Sequence, residues 1–239
     1  MTDARPIGLF DSGVGGLTVL DAVARRLPSE NLLYLGDTAR LPYGTKSRET
    51  VRRYSRRAVE ILLERGIKAL VVACNTASAL ALDLIEELSP VPVVGVVAPG
   101  AAAAVRAARA LEGRGERRSP LAVLATEATV ASDAYGRAVR SLDPERQVLH
   151  TPCPLFVPLA EEGWTANEVA EAAAERYLAP VRVSGARVVV LGCTHYPLLK
   201  GTIAGHLSPG TVLVDSAESA ARALEGVLPA AARRDGERA

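Results

Sequence analysis

Short aliphatic strands alternate with longer amphipathic helices along this chain, and the pattern runs through twice. Ile7-Gly-Leu-Phe10, Leu32-Leu-Tyr-Leu35 and Ala69 to Ala73 are followed by a further strand pattern, Val91 to Val97. Leu121-Ala-Val-Leu-Ala125, Gln147-Val-Leu-His150 and Val188 to Leu191 repeat the order, and Thr211-Val-Leu-Val-Asp215 follows. The first three strands recur at offsets of about 114 to 119 residues. Strands in regular alternation with helices predict parallel sheets with crossover helices. A single long doubly wound sheet would give the same βα rhythm, but loops that match as well as strands favour two similarly wound lobes. Gly113 to Pro120 is the most linker-like segment, and the polar Arg233 to Ala239 reads as a loose tail.

Two of these strands end in a cysteine, Ala69-Leu-Val-Val-Ala-Cys74-Asn75-Thr76 and Val188-Val-Val-Leu-Gly-Cys193-Thr194-His195. A strand buried on both faces reads as an unbroken aliphatic run, and ligands sit beyond the C-terminal ends of such strands. A lone cysteine there is most often a small core residue. Two at matching positions, each beside Asn, Thr or His, suggest thiols facing one substrate from opposite sides. That geometry removes a proton from one face of a carbon and returns it to the other. A thiol titrating near ~8.5, and lower beside a helix N-terminus or His, can serve as either acid or base near neutrality.

Length, charge and cysteine usage narrow the class. The 239 residues make one large domain or two small ones, and with 49% apolar but only 4% aromatic residues the cores must be filled by Ala, Val and Leu. Net charge is +1, and the Arg52-Arg53 and Arg56-Arg57 pairs fall in a helical pattern that coats a solvated face, so no nucleic-acid partner is expected. Met1 to Pro6 leads straight into a strand without a secretory signal, and the longest apolar stretch is broken by Pro92, Gly95, Pro99 and Gly100. No membrane partner is expected. Three cysteines cannot all pair, which fits a soluble, cytoplasmic, reduced protein.

Other loops add polar groups. Asp11-Ser-Gly-Val-Gly-Gly16 lies between a strand and a helix, where backbone amides and the helix dipole favour an anion. It lacks the Gly-Lys-Ser/Thr of a Walker loop, and Thr18 stands where a dinucleotide fingerprint needs its third glycine. Asp11 disfavours a bound phosphate, so a small carboxylate held by Ser12 and loop amides fits better, with Asp11 aimed at an ammonium group or a thiol. Asp11 as a mere helix cap is the plainer alternative. Pro42-Tyr43-Gly44-Thr45 forms another rim of the same mouth, or a turn covering the core edge. Cys153 between Pro152 and Pro154 reads as structural, and His150 and His206 as fillers without evident partners. A closed zinc site wants more ligands than two cysteines and His195 readily supply, so no metal is expected.

Taken together, Gly8-Leu-Phe-Asp-Ser-Gly-Val-Gly-Gly-Leu-Thr18, Asp37-Thr-Ala-Arg-Leu-Pro-Tyr-Gly44, Ala73-Cys-Asn-Thr-Ala77 and Leu191-Gly-Cys-Thr-His-Tyr-Pro-Leu198 resemble glutamate racemase, in the cofactor-independent aspartate/glutamate racemase family. The resemblance implies an α/β fold of two similar doubly wound domains with mainly parallel sheets and the active site in the cleft between them. Residues 1–98 with 212–239 would form the first domain and 99–211 the second. It further implies interconversion of L- and D-glutamate for peptidoglycan, and a homodimer. Cys74 would handle the proton on the D-substrate's face with Asp11 as its helper, and Cys193 that on the L-substrate's face with His195. Ser12, Pro42, Tyr43, Gly44, Asn75, Thr76 and Thr194 would hold the substrate's carboxylates and ammonium. Pro154 to Glu161 resembles the segment carrying a further active-site glutamate, Glu161, with Glu162 as the alternative. Ala125 replaces the usual glycine before Thr126 and Thr129, a change that can tighten the loop carrying those two substrate contacts.

No cofactor is expected. A pyridoxal Schiff base needs a lysine, and none of Lys46, Lys68 and Lys200 falls at a site loop. The carbanion-like state must then be stabilised by dense hydrogen bonding in a dry cleft. An aspartate racemase, a thiol redox or zinc-binding module, and a non-catalytic amino-acid binder are the remaining readings; His195 argues against aspartate.

Overall fold

The computed structural model describes residues 3–228, so the expected tail at 233–239 lies outside the described residues. The first unit runs β1 (Ile7–Asp11), α1 (Leu17–Arg26), β2 (Leu32–Gly36), α2 (Arg48–Glu64), β3 (Ala69–Val72), α3 (Asn75–Leu80), α4 (Leu82–Leu88) and β4 (Val93–Gly95). After α5 (Val97–Glu112) the second unit follows with β5 (Leu121–Ala125), α6 (Glu127–Ala131), α7 (Ala134–Leu142), β6 (Val148–Pro152), α8 (Phe156–Glu161) and α9 (Glu168–Ser184). It continues through β7 (Val188–Gly192), α10 (Lys200–Gly205) and β8 (Val212–Asp215) to α11 (Ser216–Val227). Short 3-10 turns occupy Tyr43–Thr45 and Tyr196–Leu199.

The strands form two separate four-stranded sheets, ordered β2-β1-β3-β4 and β6-β5-β7-β8, with every pairing parallel. The identical order makes the duplication one of whole winding units rather than of three strands. In each sheet the strand order reverses between the two central strands, and crevices open at such switch points beyond the C-terminal strand ends. Those ends carry Asp11 and the Cys74 loop in one sheet, and the Thr126 and Cys193 loops in the other.

Burial explains why the central strands are aliphatic throughout. On the first sheet, Leu9 and Val71 pack under α1 and α11, while Phe10, Leu70 and Val72 pack under α2, α3 and α4. On the second, Val123 and Val190 meet α5 and α7, and Ala122, Leu124 and Val189 meet α8, α9 and α10. Aliphatic residues dominate these cores as expected, yet Tyr43, Tyr135 and Tyr196 are the largest fully buried side chains. Each hydroxyl has an acceptor, at 2.6 Å from Asp37 Oδ2, 2.6 Å from Asn75 Oδ1 and 2.8 Å from the Cys153 carbonyl, as a buried phenol requires.

The structure departs from the predicted elements in several places. Strand β4 covers only Val93–Gly95 of the expected Val91 to Val97, because Ser78 Oγ accepts the Val96 N–H at 3.2 Å and Val97 opens α5. The helical stretch after β5 breaks into α6 and α7. Ser132 Oγ donates to the Thr129 carbonyl at 2.6 Å and accepts the Ala134 N–H at 3.1 Å, and Asp133 turns left-handed at φ 52°. Helix α9 runs through Pro180 to stop at Gly185 with φ 70°. His206 has a partner after all, Glu171 at 2.6 Å, while His150 stands 3.3 Å from Asp133 outside hydrogen-bond geometry.

Strand β8 pairs with β7, so Val212–Asp215 lies in the second sheet, and the chain returns to the first unit only with α11. The chain thus crosses between units twice, at Val96–Val97 and at Asp215–Ser216. No helix among the described residues is long and apolar enough to cross a membrane.

Candidate active site

The loop after β1 is organised by its own aspartate. Asp11 is fully buried, and its Oδ2 accepts the N–H groups of Gly13 and Gly16, each at 3.0 Å. Those two amides are therefore not available to an external carboxylate, which corrects the expectation that the glycines expose them to one. The other oxygen, Oδ1, is buried without a hydrogen-bond partner. Burial pushes the Asp11 carboxyl above its usual range, opposed by the glycine amides and by the nearby His195. Asp11 thus caps the loop and also keeps one free oxygen in the buried interior.

Glycine is needed here for contact between the units. A Cβ on Gly15 would stand 2.6 Å from Thr194 Oγ1 and 2.7 Å from the His195 ring. Thr18 Oγ1 also reaches the Thr194 carbonyl, at 3.3 Å. The loop after β1 therefore lies directly against the loop after β7.

Cys74 caps α3, its sulfur accepting the Ala77 N–H at 3.4 Å, and the thiol lies 3.6 Å from Ser12 Oγ. Burial, reinforced by the Asp11 charge, pushes its pKa up to about 12. Cys193 follows β7, with its sulfur 3.7 Å from Nδ1 of His195. Burial raises this thiol too, against the lowering effect of the His195 backbone N–H. Burial thus holds both sulfurs toward the thiol form. On the far side of the imidazole, Glu161 Oε1 stands 3.3 Å from His195 Nε2, outside hydrogen-bond geometry.

Both sulfurs line one internal cavity of about 20 Å³. Of the residues expected to hold substrate, Ser12, Pro42, Tyr43, Gly44, Asn75, Thr76, Thr126 and Thr194 line it, as does His195. Thr129 stands just behind. The hydroxyls of Thr76, Thr126 and Thr129 form a triangle spanning the two units, with edges of 3.0, 3.2 and 3.0 Å. The alanine at 125 therefore leaves both threonines turned toward the first unit. Glu161 lines a neighbouring cavity of about 300 Å³ that shares Pro42, Gly44, Thr126 and Val157 with the smaller one. Glu162 lines a groove on the outside of α8 and α9, beside Trp164 and Arg176. Cys153 is fully buried, its Sγ 3.4 Å from the Thr151 carbonyl, away from both cavities.

Val157 is the lining residue that sequence reading passed over. It precedes Glu161 by four positions on α8 and so shares its face, a spacing that would have raised it together with that glutamate. Tyr34 was passed over as well; its hydroxyl donates to the Gly13 carbonyl at 2.6 Å and closes the loop after β1 from behind.

The sequence profile of the Asp/Glu/hydantoin racemases matches residues 12–224. The chain belongs to that family. Among relatives, the glutamate racemase of Geobacter metallireducens is 52% identical over 224 residues, covering 94% of this chain and 80% of the relative. That of Syntrophus aciditrophicus is 47% identical, covering 95% of this chain and 81% of the relative. The structure of the Thermus thermophilus glutamate racemase in complex with beta-chloro-D-alanine is similar at TM-score 0.84 and 46% identity, over 100% of this chain and 87% of that one. The Francisella tularensis glutamate racemase in complex with D-glutamate is similar at TM-score 0.86 and 36% identity, over 95% and 81%. The Picrophilus torridus aspartate racemase, at 17% identity and TM-score 0.62, shares the racemase-family fold. Within this family the chain is an isomerase of two parallel α/β units.

Proposed function

We propose that the protein is a cofactor-independent glutamate racemase, interconverting L- and D-glutamate by proton transfer at the α-carbon between Cys74 and Cys193. The observation that carries this reading is the pair of buried thiols from two different sheets lining a single cavity. In one direction the sulfur of Cys74, as thiolate, takes the Cα proton, and the thiol of Cys193 gives its own proton to the opposite face. The reverse direction exchanges the two roles. A desolvated thiolate is a stronger base than one in water, which suits the abstraction of a weakly acidic Cα proton. Asp11, with its buried, unpaired Oδ1 on the Cys74 side, and His195, with its Nδ1 3.7 Å from the Cys193 sulfur, are the groups placed to exchange protons with the two thiols.

The hydroxyls of Ser12, Thr76, Thr126 and Thr194, with the Asn75 side chain, supply donors for the substrate's carboxylates in a site with little water. A cavity of about 20 Å³ has room for about one water and none for glutamate. The site must widen to take glutamate, and the neighbouring cavity bounded by Glu161 adjoins it through Pro42, Gly44, Thr126 and Val157. The three free, buried cysteines fit a reducing compartment, and supply of D-glutamate for peptidoglycan is part of this reading. Self-association as a homodimer is part of this reading and is measured by sedimentation.

The deciding experiment follows solvent deuterium into the α-position of L- and D-glutamate, with L-aspartate alongside. Incorporation with inversion in both directions, lost in Cys74→Ala and in Cys193→Ala, is expected. Wild-type rates in either variant would end the two-thiol mechanism, and a preference for aspartate would end the substrate assignment.

A further inference from the structure

Tyr135, on α7 in the second unit, touches the neighbour of each cysteine. Its hydroxyl donates to Asn75 Oδ1 at 2.6 Å, across the interface, and Asn75 directly follows Cys74. Its ring lies on Gly192, directly before Cys193, so closely that a Cβ there would stand 3.2 Å from the ring edge. The opposite ring edge rests on Gly100 of α5, where a Cβ would stand 3.4 Å away. The ring is 1% exposed, and burial keeps the phenol neutral and hence a donor.

The hydrogen bonds continue beyond Asn75. Asn75 Nδ2 donates to Ser216 Oγ at 3.5 Å, and Ser216 Oγ donates to the Leu191 carbonyl at 3.4 Å. Ser216 opens α11 at the second crossing between the units. An amide side chain has two acceptor sites and two N–H groups. With Oδ1 engaged by Tyr135 and one N–H directed at Ser216, a flipped carboxamide would force both hydroxyls to reverse roles and take the Ser216 donor away from the Leu191 carbonyl. Its remaining N–H belongs to a residue on the cavity wall.

We propose that Tyr135 is a positioning residue, whose hydroxyl fixes the Asn75 carboxamide as a donor to bound substrate while its ring seats the backbone before Cys193. This rests on the racemase reading above. It assigns the second unit a part in shaping the Cys74 side of the site.

The test is a double-mutant cycle on steady-state racemisation of glutamate, using Tyr135→Phe, Asn75→Ala and the double variant, with melting temperatures recorded throughout. Tyr135→Phe keeps the ring and is expected to lower kcat/KM about tenfold, mostly through KM, as loss of one buried hydrogen bond acting on a binding group would. The double variant should match Asn75→Ala, because the hydroxyl acts only through Asn75. A change in melting temperature with unaltered KM would mean a packing role only and overturn the proposal, as would losses that multiply in the double variant. Should Tyr135→Phe fail to fold, the same cycle with Ser216→Ala, at the other end of the hydrogen-bond chain, decides; full multiplicativity there also overturns it. An active wild type with an unaffected Tyr135→Phe removes this proposal alone. A wild type that neither racemises glutamate nor exchanges its α-proton removes the racemase reading, and the proposal with it.

Discussion

The sulfur of Cys193 lies 3.7 Å from the imidazole Nδ1 of His195, two residues on in the same loop. The side-chain hydrogen-bond partner of Cys74 is instead a hydroxyl, Ser12 Oγ at 3.6 Å, supplied by a different strand end. The duplicated winding brings the thiols to equivalent places and then surrounds them differently. Cys193 has a titratable partner in contact, whereas Cys74 has a buried carboxylate, Asp11, acting through its charge.

Replacing either thiol should remove catalysis without removing the fold. General acid–base groups contribute about 10²–10⁴ in rate, so Cys74→Ala and Cys193→Ala are each expected to lose at least about a hundredfold in kcat. Circular dichroism and melting curves should stay close to wild type. A variant that unfolds cooperatively near the wild-type midpoint yet keeps full activity would contradict the assignment.

Glu161 and Glu162 should separate cleanly. Glu161 faces His195 at 3.3 Å, and Glu162 lies on the outer groove. Glu161→Gln is expected to lower kcat about tenfold by removing the carboxylate behind the imidazole. Glu162→Gln should leave both kcat and KM in place. Equal effects from the two would show that His195 does not depend on that carboxylate.

The pH dependence of stability follows from the Cys74 thiol, raised by burial to about 12. The folded protein holds this proton more tightly than the unfolded chain, whose thiols ionise near ~8.5. The stabilisation is complete below the unfolded value and is lost as pH climbs toward about 12. Melting temperatures of ligand-free wild type should fall across this window, and those of Cys74→Ala should fall less steeply. Parallel curves would mean that the thiol is not held neutral by the fold.

Gly15 tests how closely the two units must approach. A methyl group there meets Thr194 Oγ1 at 2.6 Å and the His195 ring at 2.7 Å. Gly15→Ala is expected to destabilise by about 1–3 kcal/mol, the usual cost of overpacking, and to lower activity by displacing His195. Chemical denaturation and kcat measured together check this; unchanged values in both would show that the interface yields freely.

Much of this was legible because alternating strand and helix patterns are local. The runs around Leu9, Val71, Val123 and Val190 mark central strands by their unbroken aliphatic character, and Cys74 and Cys193 stand at their ends for the same reason. What the sequence hid depended on partners far along the chain. The Val96 amide ends β4 by reaching Ser78, and Ser132 breaks a helix that periodicity alone would continue. The glycines at 13 and 16 read as an anion cradle until their amides turn out to hold Asp11. Tyr135 gave no signal, because a buried tyrosine in an amphipathic helix looks like any core residue until its hydroxyl acceptor is known.

The two crossings of the chain between units bear on how the molecule is made. Strands β1 to β4 are all synthesised before β5 begins, yet Ala217, Ala220, Ala221 and Leu224 of α11 help to cover one face of their sheet. On the ribosome that face is incomplete through translation of the entire second unit. The second sheet, by contrast, has all its strands and both its helical layers before α11 emerges. The half of the enzyme that is begun first is therefore the half that is finished last.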